Sequence, residues 1–190
     1  MKKLLAVILI LVGAFIMMIP TLKDNKVEQT VQETVKIVEA ITPEVIEENE
    51  ANEEAQFDYS VVEDITVTGT LLGNIKANSK LLVGQLVIPS VGMNISIFKG
   101  INNTNLLAGA ATMRANQKMG EGNYPLAGHY SKNKDILFGS LMDVKVGDPI
   151  RITNKKTIYE YTVYEVKVVP DDALYIIDDK VAEQKGAPVI

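Results

Sequence analysis

Cysteine and tryptophan are absent from the 190-residue sequence, and histidine occurs only once. Without cysteine the chain can form no disulfide, no thiolate metal site and no cysteine nucleophile of its own. One histidine cannot build a metal site that needs several. Glycine-rich phosphate loops and the Gly-x-Ser-x-Gly and His-Glu-x-x-His motifs are also missing. These absences leave few side chains that could carry chemistry.

Positive charge is not concentrated in any part of the folded region. The formal net charge is -5. Residues 23–58 contain eleven acidic side chains and three lysines, whereas residues 59–190 contain thirteen acidic and fourteen basic side chains. Nucleic-acid binding requires a concentrated basic face. The sequence therefore argues against a nucleic-acid partner.

One long apolar run lies at the N-terminus. Lys2 and Lys3 precede the run from Leu4 to Leu22, which is about 19 residues or ~29 Å of helix. A cleaved signal peptide, the alternative, has an apolar region of only about 7–15 residues before a small-residue cleavage site. The pattern favours an uncleaved transmembrane signal anchor at residues 1–22. Because the positive charge precedes the span, the rest of the chain is predicted to be extracytoplasmic.

Residues 23–58 are predicted to form an acidic spacer. Pro43 and the acidic run 44–54 argue against a packed core in this segment. Four valines nevertheless recur at helical spacing: Val27, Val31, Val35 and Val38. We interpret the segment as a solvated tether, with a partner-binding stalk helix as the alternative.

From residue 59 onward, short β-type runs alternate with turn residues. Four runs have this character: 85–88, 93–98, 149–153 and 157–169. In the last run Tyr159, Tyr161 and Val163 are expected to share one face. Short helices are predicted at 105–111, capped by Thr104, and at 135–142, capped by Asp135. The fold class is predicted to be mainly β: a small antiparallel β-barrel with short helices.

The single histidine, His129, lies in the run Leu126-Ala127-Gly128-His129-Tyr130. Its ordinary pKa near 6.5 suits proton transfer at neutral pH. The preceding glycine would let a ligand approach the backbone closely. A lone histidine is more often structural than catalytic, however, so composition alone leaves both roles open.

Residues 109–129 resemble the signature of a known family. The run Asn123-Tyr124-Pro125-Leu126-Ala127-Gly128-His129, preceded by 109–113 and 117–120, is similar to that of class A sortases. These are membrane-anchored cysteine transpeptidases of Gram-positive bacteria. The similarity extends over 59–190 and includes 138–141 and 146–148. It implies a sortase-like barrel over residues 59–190.

The resemblance implies an activity, a substrate and a set of site residues. Sortases cleave a Leu-Pro-x-Thr-Gly sorting signal between Thr and Gly. They pass the acyl group to an amine of the peptidoglycan precursor and so attach surface proteins to the cell wall. His129 would protonate the departing amine, a cysteine would attack the Thr carbonyl and an arginine would support the oxyanion. Apolar contacts to the Leu-Pro part are expected from four residues: Ala127, Ala173, Tyr175 and Ile176. Filling a local core is the alternative role for these four.

The family's Thr-Leu-x-Thr-Cys strand, and the strand with the arginine, are not in the sequence, which ends at Ile190. We interpret the chain as a sortase truncated at its C-terminus, with the last two barrel strands missing. Such a chain would be inactive, because it lacks its nucleophile, and poorly stable. The alternatives are a naturally inactive relative and a membrane-tethered, non-catalytic peptide-binding barrel.

Some sortases bind calcium through acidic residues at the positions that here hold Arg114, Gln117, Glu121 and Asp178. Calcium prefers six to eight oxygen ligands, and an arginine in the shell would repel the ion. No metal and no cofactor is therefore predicted. The expected partners are the sorting-signal peptide, the precursor amine and the membrane.

Overall fold

The computed structural model describes residues 2–57, 59, 70, 76–170 and 172–190. Six strands form one curled sheet: β1 (Leu82–Ile88), β2 (Met93–Phe98), β3 (Gly109–Thr112), β4 (Leu126–Ala127), β5 (Pro149–Thr153) and β6 (Ile158–Thr162). Among the described residues, four helices accompany the sheet: α1 (Lys2–Ala40), α2 (Pro43–Glu50), α3 (Asn103–Ala108) and α4 (Lys180–Lys185). The predicted mainly β architecture with short helices and a preceding apolar helix is confirmed.

The strand order is β4-β3-β2-β1-β5-β6, so β4 and β6 are the two edges of a half-barrel. Neighbouring strands pair antiparallel except β2 and β3, which are parallel. A parallel pair needs a crossover connection, and α3 supplies it. The side chain of Asn102 caps α3 by accepting a hydrogen bond from the Asn105 N–H at 2.9 Å. The predicted Thr104 cap is therefore wrong, and the end of the predicted helix belongs to β3.

The strands begin and end where the sequence pattern changes. β1 ends at Ile88 because Pro89 has no N–H for a further ladder bond. On β6, Tyr159 and Tyr161 are half-buried, whereas Ile158 and Glu160 on the opposite face are exposed. The predicted facing of this strand is confirmed. Regular pairing stops at Thr162, however, because no strand among the described residues lies beside 164–170.

The predicted helix at 135–142 is wrong. Its residues form turns, and a short 3-10 helix follows at Leu141–Asp143. Leu137 has a φ of 51°, in the left-handed region that a right-handed helix cannot include. Phe138 instead donates its N–H to the carbonyl of His129 at 3.1 Å, which is incompatible with a regular helix at this point.

The interpretation of 23–58 as a solvated tether is also wrong. α1 is one continuous helix of 39 residues, and its four spaced valines are between 0% and 6% exposed. Three of them belong to the main core and Val38 to a second cluster that includes Leu82 and Phe98. Thr34 Oγ1 also donates a hydrogen bond to the Ala108 carbonyl at 3.0 Å. The spacing is helical, as the sequence indicates, but the partner of the helix is the domain itself. The bounds of the domains stay a prediction.

Candidate active site

His129 lies two residues beyond the short edge strand β4. That strand is held by antiparallel pairing of Ala127 with Ala111 and of Leu126 with Thr112. His129 is half-buried, and its carbonyl accepts the Phe138 N–H. A Cβ on Gly128 would lie 2.6 Å from the Phe138 ring. Glycine is therefore needed beside His129, because the aromatic ring packs against the backbone there.

Ala127 is half-buried and packs on a small apolar cluster formed by Ile101, Leu106 and Ala111. This environment is compatible with the predicted floor of an apolar peptide site, and equally with a local core, so the role of Ala127 stays a prediction.

The other three predicted substrate residues lie in and before a 3-10 turn at Leu174–Ile177. Ala173 is buried, at 8% exposed, whereas Tyr175 and Ile176 are 62% and 38% exposed. Ala173 thus has the surroundings of a core residue. Tyr175 and Ile176 present apolar surface that a ligand could cover.

Asn123 joins this turn to the segment that leads into β4. Its amide Nδ2 donates to the carbonyls of Ile176 and Asp178 at 2.8 and 2.9 Å. Its backbone N–H donates to Asp179 Oδ1 at 3.0 Å. Asn123 itself is only 3% exposed, so these bonds are shielded from water. The Asn123 side chain therefore connects the backbone of the turn to the segment that leads into β4.

Arg114 completes this arrangement, which we call the Asn123 network (Asn123, Arg114 and Asp179). The guanidinium donates to both carboxylate oxygens of Asp179, at 2.8 and 2.7 Å, and to the Asn123 carbonyl. The Arg114 guanidinium, together with the Asn123 N–H, lowers the pKa of Asp179 to about 2. Two parallel N–H bonds fix the relative orientation of the two groups.

Gln117 supports the network from within the same loop. Its carbonyl Oε1 accepts the backbone N–H groups of Met113 and Arg114 at 3.0 and 2.8 Å. Its Nε2 donates to the Pro125 carbonyl at 3.0 Å. Arg114 and Gln117, two of the positions where some sortases have acidic calcium ligands, thus form hydrogen bonds within the protein. Among the described residues, no group of three or more His, Asp or Glu side chains could hold a metal ion.

The last residues of the chain lie beside the same segment. Val189 donates its N–H to the Gly122 carbonyl at 2.9 Å and accepts the Tyr124 N–H at 2.9 Å. Asn123 and Val189 form a parallel β-bridge. Residues 188–190 therefore run in the same direction as the approach to β4.

Sequence reasoning missed Asn123, Asp179 and Phe138 as residues that position the site. Asp179 is 65 residues from Arg114, so no local pattern relates the two. The available signal for Asn123 is its place in the motif that ends at His129, where a short amide side chain precedes an apolar run.

Comparison with known proteins identifies relatives of the whole chain. The model of the sortase domain family matches residues 86–190. Sortase A of Listeria monocytogenes serovar 1/2a is 38% identical over 180 residues, which are 94% of this chain and 79% of that protein. Sortase A of Streptococcus agalactiae serotype III is 32% identical over 181 residues, 93% of this chain and 72% of that protein.

A solved structure agrees with these relatives. The crystal structure of Listeria monocytogenes sortase A matches with a TM-score of 0.51 and 50% sequence identity. The match covers 52% of this chain and 68% of that one. The curled sheet and the extent of these matches lead to one conclusion: this chain belongs to the sortase family.

Proposed function

We propose that the protein is a sortase transpeptidase that attaches surface proteins to the peptidoglycan of a Gram-positive cell wall. Its substrate would be a Leu-Pro-x-Thr-Gly-like sorting signal, cleaved between Thr and Gly and transferred to an amine of the peptidoglycan precursor. Family membership supports the reaction class. The Asn123 network supports the substrate site, because it ties an exposed apolar turn to the strand before His129.

Each site residue has a defined task in this proposal. His129 donates a proton to the departing amine, and thus permits expulsion of a poor leaving group. Tyr175 and Ile176 cover the Leu-Pro dipeptide from the turn, while Ala127 lines the floor beside His129. Ala173 holds the turn from its buried position. No cofactor or metal takes part in these steps.

The nucleophile requires a residue that these 190 positions do not contain, since the sequence has no cysteine. The parallel bridge between Asn123 and Val189 supports a location for it. A parallel strand on that side of residues 122–124 would lie beside the segment that leads into β4. In the family the cysteine belongs to a Thr-Leu-x-Thr-Cys strand. We therefore propose that the 190-residue chain is inactive and that an added cysteine strand would complete the site.

The membrane proposal rests on α1. The helix is long and apolar enough to cross a bilayer, and an 18-residue window has a mean hydropathy of 2.7 with none of it buried. We propose that residues 4–22 remain as an uncleaved single-pass anchor with the sortase domain outside the cell. Protease added to wall-stripped cells should then digest the domain. A processed N-terminus beyond residue 22 would contradict this topology.

The proposed reaction is tested by peptide cleavage with three purified proteins. These are the 190-residue chain, the chain extended by the cysteine and arginine strands, and the extended chain with His129→Ala. The first should not cleave, the second should turn over, and the third should lose about 10²–10⁴-fold in rate, as expected for a general acid. Lys132→Ala, an exposed change three residues away, is the matched control and should retain activity.

Two results would overturn the proposal. Cleavage by the cysteine-free chain would exclude the thiol mechanism, and undiminished turnover after His129→Ala would exclude the role of this histidine. Binding of the sorting peptide by the extended chain without turnover would instead favour the non-catalytic peptide-binding barrel.

A further inference from the structure

The face of α1 that packs on the domain continues into the apolar anchor. In the first half of the helix, the exposed large apolar side chains from Leu4 to Met18 are 47% to 82% exposed. Partial burial of the α1 side chains begins at Ile19. The buried positions recur every three to four residues and therefore lie on one face of the helix. The covered or half-covered residues on this face are Ile19, Lys23, Lys26, Val27, Thr30, Val31, Thr34, Val35 and Val38.

The charged turn between anchor and domain is itself part of this packed region. The side chains of Lys23 and Asp24 are only 24% and 26% exposed, and they form an ion pair at 3.8 Å. Residues 23–26 are fully helical. Pro20 lies within α1, and a bend there would change the tilt of the helix with little effect on its length. The described structure thus has no flexible joint between the apolar run and the packed part of α1.

The dimensions bring the domain to the level of the bilayer surface. At ~1.5 Å per residue, Val27 is about 7.5 Å beyond Leu22, and Ile19 is about 4.5 Å inside it. The middle of the packed segment, near residue 32, is about 15 Å beyond Leu22. A domain of this size has a radius of gyration of about 14 Å. A compact sphere extends roughly 1.3 times its radius of gyration from its centre, so a domain centred at this level reaches the end of the apolar run.

We propose that the domain rests on the phospholipid headgroups of the membrane that α1 spans, and that anchor and domain form one rigid unit. This inference rests on the proposed anchoring of α1. Lys23 and Lys26, half-buried at the start of the packed region, lie at the level of the headgroups. The partner of the domain's membrane-facing side is thus the lipid surface around the protein's own anchor.

Rigidity is tested by a distance measured within the full 190-residue chain in lipid nanodiscs. The sequence has no cysteine, so Leu4→Cys with Ile37→Cys gives two unique sites for spin labels at exposed positions. A continuous helix separates them by 33 residues, or about 50 Å, and should give one narrow distance distribution in a pulsed electron resonance experiment.

A matched insertion separates the anchor from the domain without altering either. Twelve Gly and Ser residues placed between Leu22 and Lys23 add a root-mean-square span of about 19 Å and should broaden the distribution. The same insertion before Lys2 is the control and should leave the distance unchanged. A broad distribution in the parent chain would overturn the rigid unit.

Contact with the headgroups is tested separately by energy transfer. A donor at Glu33→Cys, an exposed position about 17 Å beyond Leu22, is paired with acceptors on the lipid headgroups. Transfer should fall several-fold in the variant with the insertion after Leu22, and equal transfer in the two proteins would overturn the contact. Vesicle flotation distinguishes the two proposals: a chain that does not float with lipid refutes the anchor, whereas one that floats with a broad distance distribution refutes only this inference.

Discussion

At the scale of single residues, the pairing of Arg114 with Asp179 helps to hold the turn at Leu174–Ile177 next to the segment before β4. Arg114→Gln should return the pKa of Asp179 toward its ordinary value, because the guanidinium is the main cause of its lowering to about 2. The sign follows from linkage: the pairing stabilises the fold fully above about pH 4 and stops doing so as the pH falls toward 2. NMR titration of the Asp179 carboxyl in both proteins measures this change. An unchanged pKa in the variant would contradict the assignment.

The same ion pair predicts independence from calcium. A cation between Arg114 and Asp179 would have to displace a bidentate bond and would face the guanidinium charge. Thermal unfolding of the purified chain should therefore have the same midpoint with calcium and with a chelator. A saturable rise of the midpoint with calcium would contradict the prediction.

Two buried hydroxyls, Thr34 in α1 and Ser96 in β2, should respond differently to substitution. Ser96 is 0% exposed, and its Oγ has no hydrogen-bond partner among the described residues, whereas Thr34 bonds to Ala108. Ser96→Ala should leave the free energy of unfolding unchanged or raise it by up to about 2 kcal/mol. Thr34→Val should lower it by roughly 1–3 kcal/mol, because the Ala108 carbonyl loses its partner. Urea unfolding of both variants provides the comparison, and a large loss for Ser96→Ala would contradict it.

At the scale of elements, α1 should contribute to the stability of the domain through its valines. Val31→Ala and Val35→Ala should each lower the free energy of unfolding by roughly 1–3 kcal/mol, since each removes buried methyl groups from the core. Glu33→Ala, on the exposed face of the same helix, is the matched control. Denaturant unfolding in detergent, followed by near-UV circular dichroism of the tyrosines, measures the difference. Equal effects of all three changes would contradict the packing of α1 on the domain and favour the interpretation as a solvated tether.

The elements differ in how well the sequence predicts them, for physical reasons. β1, β2 and β5 are predictable because apolar runs end at proline or turn residues, and each strand has a neighbour to pair with. The predicted 157–169 strand is too long because alternation continues beyond the last pairing partner. The turn at Leu137 has a non-glycine residue in the left-handed region of φ, and residue propensities do not predict this conformation for leucine. The valines of α1 are visible in the sequence, but their partner strands lie more than 40 residues away.

The candidate site is predictable to the extent that it is local. His129 and Ala127 are recognisable because they belong to one contiguous motif. The Asn123 network joins residues 9 to 65 positions apart, and only the folded chain brings them together. The exposed state of Tyr175, in contrast to the buried Ala173, likewise depends on the packing of the turn.

At the scale of the whole molecule, the half-barrel leaves apolar surface beyond the β6 edge. Val166 and Val168 are 46% and 86% exposed on the segment that follows that strand. Open edges with apolar side chains pair readily with other chains. The 190-residue protein should therefore associate at high concentration, and Val166→Lys with Val168→Lys should suppress this. Sedimentation in detergent at several concentrations tests the effect, and a parent chain that stays monomeric throughout would contradict it.

The packing of α1 also determines the order in which the molecule can be assembled. Thr34 contacts Ala108, which is 74 residues later in the chain. In the proposed topology, the anchor reaches the membrane during synthesis before the strands that cover the valines of α1 have been made. The valines of α1 would then stay exposed until β2 and α3 have crossed to the same side of the membrane. In that topology the membrane-bound helix would be the fixed site on which the sheet forms, so the domain would fold at the lipid surface and would not fold first and be tethered afterwards.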